Sequence, residues 1–240
     1  MKTILLGTAA LALTAGMALA QDTVRLGTEG AYPPFNFLND AGEVDGFERE
    51  VGDELCKRAE MTCEWVTNEW DSIIPNLVSG NYDAIIAGMS ITDEREEVID
   101  FTQNYTQPDP SSFVGKSGMM IDDPANAVIA AQTGTIQAAH VAEIGATLLE
   151  FANPEETLGA VRSGEADAVL ADKSFLTSYV EEDAELDFVA EDILLGGGIG
   201  MGFRESDGEL RGKFDAAIQS MKDDGSLNAL IEKWEVGATF

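Results

Sequence analysis

The chain contains one motif twice, and this internal repeat restricts its fold more than any other feature. Residues 77–87 read LVSGNYDAIIA, and residues 161–171 read VRSGEADAVLA. Each copy is typical of a helix that ends at a glycine and is followed by a short apolar strand. We therefore predict two similar α/β lobes. Ligands of open α/β sheets bind at the carboxyl ends of the strands, so residues 88–90 and Asp172, which follow the copies, should face a cleft between the lobes.

The first twenty residues have the composition of a signal peptide. Lys2 precedes an apolar run over residues 4–13, and residues 18–20, Ala-Leu-Ala, supply the small side chains of a cleavage site. We predict that residues 1–20 are removed and that the mature protein is exported. A retained membrane anchor is the alternative, but the apolar run is short for a membrane span.

The net charge argues against a nucleic acid partner. The formal charge is −30 over 240 residues, and it becomes −31 when the single positive charge of Lys2 is lost. Binding to nucleic acid phosphates requires a basic surface, which this chain lacks. The acidic residues are spread along the sequence, so most of them are expected on the solvated surface, where they favour solubility.

Two cysteines, Cys56 and Cys63, are separated by six residues in a segment that reads as a helix end turning into a strand. In an exported chain, an even number of cysteines favours a disulfide. A structural zinc site needs four ligands, and the chain offers only these thiols and one histidine, His140. We therefore predict a local disulfide, no metal site and no cofactor.

The pattern of elements divides the mature chain into two lobes that are joined by two crossings. We assign residues 21–107 and 200–240 to lobe 1, and residues 108–199, with the hinge segments, to lobe 2. The elements predicted in lobe 1 are a strand at 24–27, a hairpin turning at 39–42, helices at 47–58 and 71–79, a strand at 64–67, and terminal helices at 209–223 and 227–234. Those predicted in lobe 2 are strands at 112–114, 128–131 and 148–151 and a helix that ends near residue 145.

A glycine-rich segment, residues 196–202, is not a phosphate-binding loop. Phe203 continues as a strand, whereas the dinucleotide fingerprint requires a helix after its glycines. We interpret this segment as the second crossing, where the glycine backbone can absorb a hinge rotation.

The residues after the first repeat are suited to hold a carboxylate. Ser90 and the start of a helix capped by Thr92 would supply a hydroxyl and free amides, and Arg95 can bind a carboxylate through two parallel hydrogen bonds. The loop at 133–137 can add amides from the other lobe. Arg95 as an ordinary surface cation of its helix is the alternative.

Three further features point to a cationic ligand. Asp172 can accept hydrogen bonds from an ammonium group, although an aspartate in this position also commonly caps the following helix. Glu29 lies in a loop with Tyr32, and Trp70 starts another loop. The two aromatic rings can stack against a cation, or they can be part of the lobe core.

At these residues the chain resembles the periplasmic polar amino-acid-binding proteins that serve ATP-driven importers, and most of all the lysine/arginine/ornithine and histidine binders. The resemblance runs through the whole mature chain, and its motifs are GTEGAYPPF (27–35), VDGF (44–47), WDSIIP (70–75), YDAI (82–85), MSITDER (89–95), DFT (100–102), QTGT (132–135) and DGS (224–226). The Cys-x6-Cys spacing also matches the spacing that forms their disulfide.

The resemblance implies a two-lobed periplasmic-binding-protein fold of type II that closes on one amino acid. Arg95, with the amides of Ser90 and Ile136, would then hold the α-carboxylate, and Asp172, with Ser90 and the Gly88 carbonyl, would hold the α-ammonium. The other residues expected in the site are Glu29 at the cationic end of the ligand, Tyr32 and Trp70 beside its side chain, and Ala87, Gln132 and Thr135.

Some positions depart from the family pattern. Ala87 and Gly88 stand where some relatives have serines, and Ile136 stands where many have threonine. These changes remove polar contacts and leave the identity of the ligand open. The stretch at 122–127 is also shorter than in the family.

We therefore predict a monomeric periplasmic solute-binding protein, not an enzyme, that delivers arginine, lysine or ornithine to the membrane subunits of an ABC importer. An opine or a neutral polar amino acid such as glutamine is the alternative ligand. A cyclohexadienyl dehydratase-like enzyme, with Glu29 as its general acid or base, is a different class of function that stays open. A receptor-linked sensory domain is disfavoured, because no apolar span follows up to Phe240.

Overall fold

The structure is a computed structural model, and it describes residues 23–240. The predicted signal peptide, residues 1–20, lies outside the described residues. Within residues 23–240, none of the helices has the length and apolar character needed to cross a bilayer.

The described chain alternates between short strands and helices. Its strands are β1 (Thr23–Thr28), β2 (Ala31–Tyr32), β3 (Asn36–Leu38), β4 (Val44–Asp45), β5 (Thr62–Thr67), β6 (Ala84–Ile85), β7 (Asp100–Phe101), β8 (Pro110–Lys116), β9 (Val128–Gln132), β10 (Thr147–Phe151), β11 (Ala168–Asp172), β12 (Leu186–Phe188), β13 (Ile193–Leu194) and β14 (Gly202–Phe203). Its α-helices are α1 (Phe47–Arg58), α2 (Ile73–Val78), α3 (Asp93–Glu96), α4 (Ile136–Glu143), α5 (Pro154–Ser163), α6 (Lys173–Glu182), α7 (Gly208–Asp223) and α8 (Ser226–Trp234).

Two separate sheets form the centres of two lobes, as the repeat predicts. The sheet of the first lobe has the order β5-β1-β6-β14-β7, in which β5, β1 and β6 are parallel and β14 is antiparallel to both of its neighbours. The sheet of the second lobe has the order β10-β9-β11-β8-β12, with β13 also paired to β8. Its strands β10, β9 and β11 are parallel, and β8 runs antiparallel to β11 and β12. This architecture confirms the two-lobed α/β class, whereas the domain boundaries near residues 107 and 199 stay predictions.

The two repeat copies occupy equivalent places in the two lobes. The first copy forms the end of α2 and strand β6, and the second forms the end of α5 and strand β11. Gly80 and Gly164 both have a φ angle of +81° where the helix ends, a conformation that glycine adopts without steric cost. Each copy thus directs a helix into a strand of the parallel part of its sheet.

Amphipathic helices cover the first sheet. Phe47, Val51 and Leu55 recur on one face of α1 and are fully buried in the core. The same core contains Phe214 from α7 and Ile231 from α8. The two C-terminal helices therefore pack on the first lobe, as predicted, and return the end of the chain to the lobe in which it began.

One predicted helix is shorter than expected. A helix is predicted over residues 71–79, but residues Trp70–Ser72 form a 3-10 turn and α2 begins only at Ile73. Pro75 lacks the backbone N–H that would extend the helical hydrogen-bond ladder backwards, so it is tolerated only in the first turn of α2.

The sequence does not predict strands β12 and β13 of the second lobe. They have only three and two residues, which is too short to leave a periodic pattern.

The chain passes between the sheets twice, through residues 102–109 and 195–201. The two segments lie side by side, and the Ile199 N–H donates a hydrogen bond from one to Thr106 Oγ1 of the other at 3.3 Å. Gly198 has a φ angle of +92°, and a side chain there would come within 2.6 Å of the Thr106 carbonyl oxygen. The glycines of the second segment therefore permit close contact of two backbones, in addition to any hinge rotation.

The predicted disulfide is confirmed. Cys56 at the end of α1 is bonded to Cys63 in β5, with their Cα atoms 6.2 Å apart. The bond joins the helix that covers the first sheet to the edge strand of that sheet. No free cysteine remains among the described residues.

Reduction of this disulfide is expected to destabilise the first lobe moderately. The bond closes a short loop, for which the chain-entropy model gives about 2 to 3 kcal/mol of unfolding free energy. Differential scanning calorimetry with and without reductant should therefore show a lower melting temperature, and a Cys56→Ser/Cys63→Ser variant should match the reduced protein. Equal melting temperatures in both conditions would contradict this prediction.

Candidate functional site

The two lobes enclose one cavity to which all the predicted site residues contribute. The residues that line it are Glu29, Tyr32, Trp70, Ala87, Gly88, Ser90, Arg95, Gln132, Thr135, Ile136, Gln137 and Asp172. Eleven of these were expected from the sequence, and Gln137 was not.

The sheets explain why residues so distant in sequence meet here. Glu29 follows β1 and Ala87 follows β6, while Gln132 ends β9 and Asp172 ends β11. These four strands run parallel to a neighbour within their sheets, so their carboxyl ends open on the cleft. The topology thereby places side chains of both lobes around one cavity.

Arg95 brings a positive charge into the cavity without a carboxylate partner. Its guanidinium donates to the carbonyl oxygens of Ser90 at 2.7 Å and of Gly134, in the second lobe, at 3.3 Å. It also lies 5.4 Å from the centre of the Trp70 ring. Among the described residues, no carboxylate forms an ion pair with it, and burial lowers its pKa to about 10. This side chain is therefore suited to receive an anion from outside the protein.

Asp172 is held by side chains from both lobes and not by its own helix. Although it occupies the position before α6, its carboxylate makes no hydrogen bond to the first amides of that helix. Instead, it accepts a hydrogen bond from the Tyr32 hydroxyl at 2.9 Å and another from Gln137 Nε2 at 3.0 Å. Burial raises its pKa to about 6, while these donors and the charge of Arg95 oppose the shift. The capping role is thus wrong for this side chain.

Glu29 forms a second bond between the lobes. Its Oε1 accepts a hydrogen bond from Gln132 Nε2 at 2.6 Å, and the same amide also donates to the Ala152 carbonyl oxygen at 3.0 Å. Burial raises the pKa of Glu29 to about 7, and the hydrogen bond from Gln132 acts in the opposite direction. A cation in the cavity would favour the ionised form of this side chain.

Tyr32 and Trp70 belong both to the site and to the packing of the lobes. The Tyr32 ring stacks on Phe175 of α6, with the ring centres 4.1 Å apart and the planes 5° from parallel. It contacts the main apolar clusters of both lobes. Trp70 is 92% buried in a cluster of the first lobe, yet it lines the cavity and faces Arg95. The core and site interpretations of these aromatic residues therefore both hold.

Two polar residues near the site were missed by sequence reasoning. Gln137 donates to Ser111 Oγ at 3.0 Å as well as to Asp172, so it fixes the orientation of that carboxylate. Glu48 is fully buried behind the cavity wall, where its Oε1 accepts a hydrogen bond from the Gly88 amide at 2.6 Å. The TGTIQ segment offered a signal for Gln137. Glu48, in contrast, resembles an ordinary acidic residue in the first turn of a helix.

The site combines separate groups for an anion and for cations. Arg95 presents an unpaired guanidinium, and Thr135 caps α4 next to it by accepting a hydrogen bond from the Ala138 amide at 3.1 Å. Glu29 and Asp172 present two carboxylates, each already oriented by donors from the protein. If both are ionised, the charges of the three side chains sum to +1 − 2 = −1. A ligand with one anionic and two cationic groups would neutralise this arrangement.

Comparison with known proteins identifies periplasmic binding proteins that are similar to this chain. A solved structure from Silicibacter pomeroyi, described as a periplasmic His/Glu/Gln/Arg/opine family-binding protein in complex with lysine, is 69% identical with a TM-score of 0.87; the match covers 90% of this chain and 100% of that one. The L-arginine-binding protein of Pseudomonas aeruginosa is 32% identical over 97% of this chain and 96% of its own. The lysine/arginine/ornithine-binding periplasmic protein of Escherichia coli is 29% identical over 94% and 95%.

The family itself follows from a match that spans nearly all of the described residues. The profile of the bacterial extracellular solute-binding proteins, family 3, matches residues 24–237. Both lobes, both crossings and every cavity residue lie within this match. The chain therefore belongs to the bacterial extracellular solute-binding proteins, family 3.

Proposed function

We propose that this protein captures a basic L-amino acid, lysine, arginine or ornithine, in the periplasm and delivers it to the membrane subunits of an ABC importer. The observation that carries the proposal is the charge of the cavity: one guanidinium without a carboxylate partner faces a space lined by two carboxylates. A basic amino acid has one carboxylate and two cationic groups, so it supplies the complementary set. The ligands in the names of the relatives support the same class.

The roles proposed for the site residues rest on this charge pattern and on the family resemblance. Arg95 and the amides at the start of α4 bind the α-carboxylate, because they are the groups of the site that favour an anion. Asp172 and the Gly88 carbonyl bind the α-ammonium. Glu29 binds the cationic end of the side chain, which lies beside the faces of Tyr32 and Trp70.

A titration of ligand-free protein with individual amino acids tests the proposal. The protein is unfolded, dialysed and refolded to remove any carried ligand, and isothermal titration calorimetry then compares lysine, arginine, ornithine, glutamine and octopine. We expect the three basic amino acids to bind most tightly. In a separate thermal unfolding measurement, a ligand at one hundred times its dissociation constant should raise the free energy of unfolding by about 2.7 kcal/mol. Tighter binding of glutamine or octopine would overturn the proposed ligand class.

Arg95→Ala and Asp172→Ala should each weaken the binding of a basic amino acid by roughly 2 to 5 kcal/mol, because each change leaves a charge of the ligand desolvated and unpaired. Calorimetric titration measures the loss. Arg162→Ala is the matched control, since Arg162 pairs with Asp183 at 3.0 Å on the surface of the second lobe. A variant of Arg95 or Asp172 that binds within about threefold of the parent protein would refute the role assigned to that residue.

Glu29→Gln should reduce the preference for basic over neutral ligands. A guanidinium or ammonium loses its counter-charge, at a cost on the order of 1 to 3 kcal/mol, whereas glutamine no longer faces an unpaired carboxylate. The readout is the ratio of the arginine and glutamine dissociation constants for the parent protein and the variant. Glu209→Gln provides a control, because the Glu209 side chain is 90% exposed. An unchanged ratio would show that Glu29 does not determine specificity.

A further inference from the structure

Glu48 is a buried acid that makes none of the proposed contacts to the ligand. It lies in the first turn of α1, its surface is fully buried, and no basic residue of the described chain forms an ion pair with it. Burying a carboxylate without a cation is costly unless hydrogen bonds compensate. This group therefore requires a specific explanation.

Three donors surround the Glu48 carboxylate. The Gly88 amide donates to Oε1 at 2.6 Å, and the Tyr105 hydroxyl donates to the same oxygen. Asn36 Nδ2 donates to Oε2 at 2.7 Å. The orientation of the Asn36 amide is set from its other side, because its Oδ1 accepts a hydrogen bond from the Gly30 amide at 2.7 Å.

This arrangement favours the ionised carboxylate. A proton on Oε2 would face the amino group of Asn36, and rotating that amide would leave an amino group facing the Gly30 N–H. Burial raises the pKa of Glu48, and the three donors oppose that shift. The ionised form is the one in which every donor around the carboxylate has an acceptor.

The same carboxylate joins three segments that build the site. Gly88 lines the cavity, and its φ angle of +63° directs the chain around the end of β6. Gly30 lies between Glu29 and Tyr32, and Tyr105 lies in the first crossing. Glu48 therefore lies directly behind the Gly88 peptide, which forms part of the cavity wall. Its charge also raises the pKa of Glu29.

We propose that Glu48 is a positioning residue that determines cation specificity from behind the cavity wall. It holds the Gly88 turn and the Glu29 loop in place, and its fixed negative charge favours cationic ligands without touching them. This inference rests on the proposed function, since it concerns the charge of the ligand in the same cavity. At an effective dielectric of about 20, a unit charge within about 10 Å of a cation changes its binding constant on the order of tenfold.

The test compares arginine with citrulline, which has a side chain of nearly the same shape but without the charge. In Glu48→Gln we expect the ratio of arginine to citrulline affinity to fall about tenfold, as the Coulomb estimate implies. Glu50→Gln is the matched control: it removes an acid from the same turn of α1 that pairs with Lys233 at the surface, and its ratio should stay close to that of the parent protein. If Glu48→Gln weakens both ligands equally, Glu48 has a structural role only and the proposal is wrong.

A second measurement does not depend on the folding of a variant. The ¹³C chemical shift of the Glu48 carboxyl group, recorded by NMR on labelled parent protein at pH 7, should be that of an ionised carboxylate; a protonated carboxyl would overturn the proposal. Failure of the proposed function gives a different result from failure of the Glu48 proposal. In that case the parent protein itself would show no preference for basic amino acids.

Discussion

The structure depends on a partly buried guanidinium that forms no ion pair with a carboxylate of the described residues. Arg95 is supported by two carbonyl oxygens and one indole ring, and these neutral groups orient its charge without neutralising it. Charges removed from water are costly unless they are paired. The cavity is thus incomplete in an electrostatic sense, and the arrangement of both lobes keeps the free side of Arg95 accessible to an anion.

The two acids of the cavity are likewise oriented by neutral groups. Asp172 and Glu29 each accept hydrogen bonds from partners that cross between the lobes, Tyr32 in one case and Gln132 in the other. Burial raises both pKa values, to about 6 and about 7, so both acids titrate closer to neutral pH than exposed carboxyl groups do. A cationic ligand would favour the ionised form of both, whereas a ligand with a neutral side chain would not do so for Glu29.

Much of this could be predicted from local patterns. The repeat identified the paired lobes, the boundaries of α1 were predicted to the residue, and the spacing of Cys56 and Cys63 led to the disulfide. The role of Glu48 could not be predicted, because its partners Gly88 and Tyr105 are 40 and 57 residues away in sequence. In sequence it is one of two acids in the first turn of an amphipathic helix, and only the packing of distant segments distinguishes it from Glu50 on the same turn.

The stacking of Tyr32 on Phe175 has a kinetic consequence. Tyr32 belongs to the first lobe, yet its ring packs against an aromatic residue of the second and its hydroxyl bonds to Asp172. Separating the lobes breaks the stack and the hydrogen bond in the same movement, and it exposes apolar surface to water. Release of a bound molecule then requires the lobes to separate and these contacts to break. These contacts between the lobes therefore add to the barrier to release, beyond the contacts that the ligand itself makes.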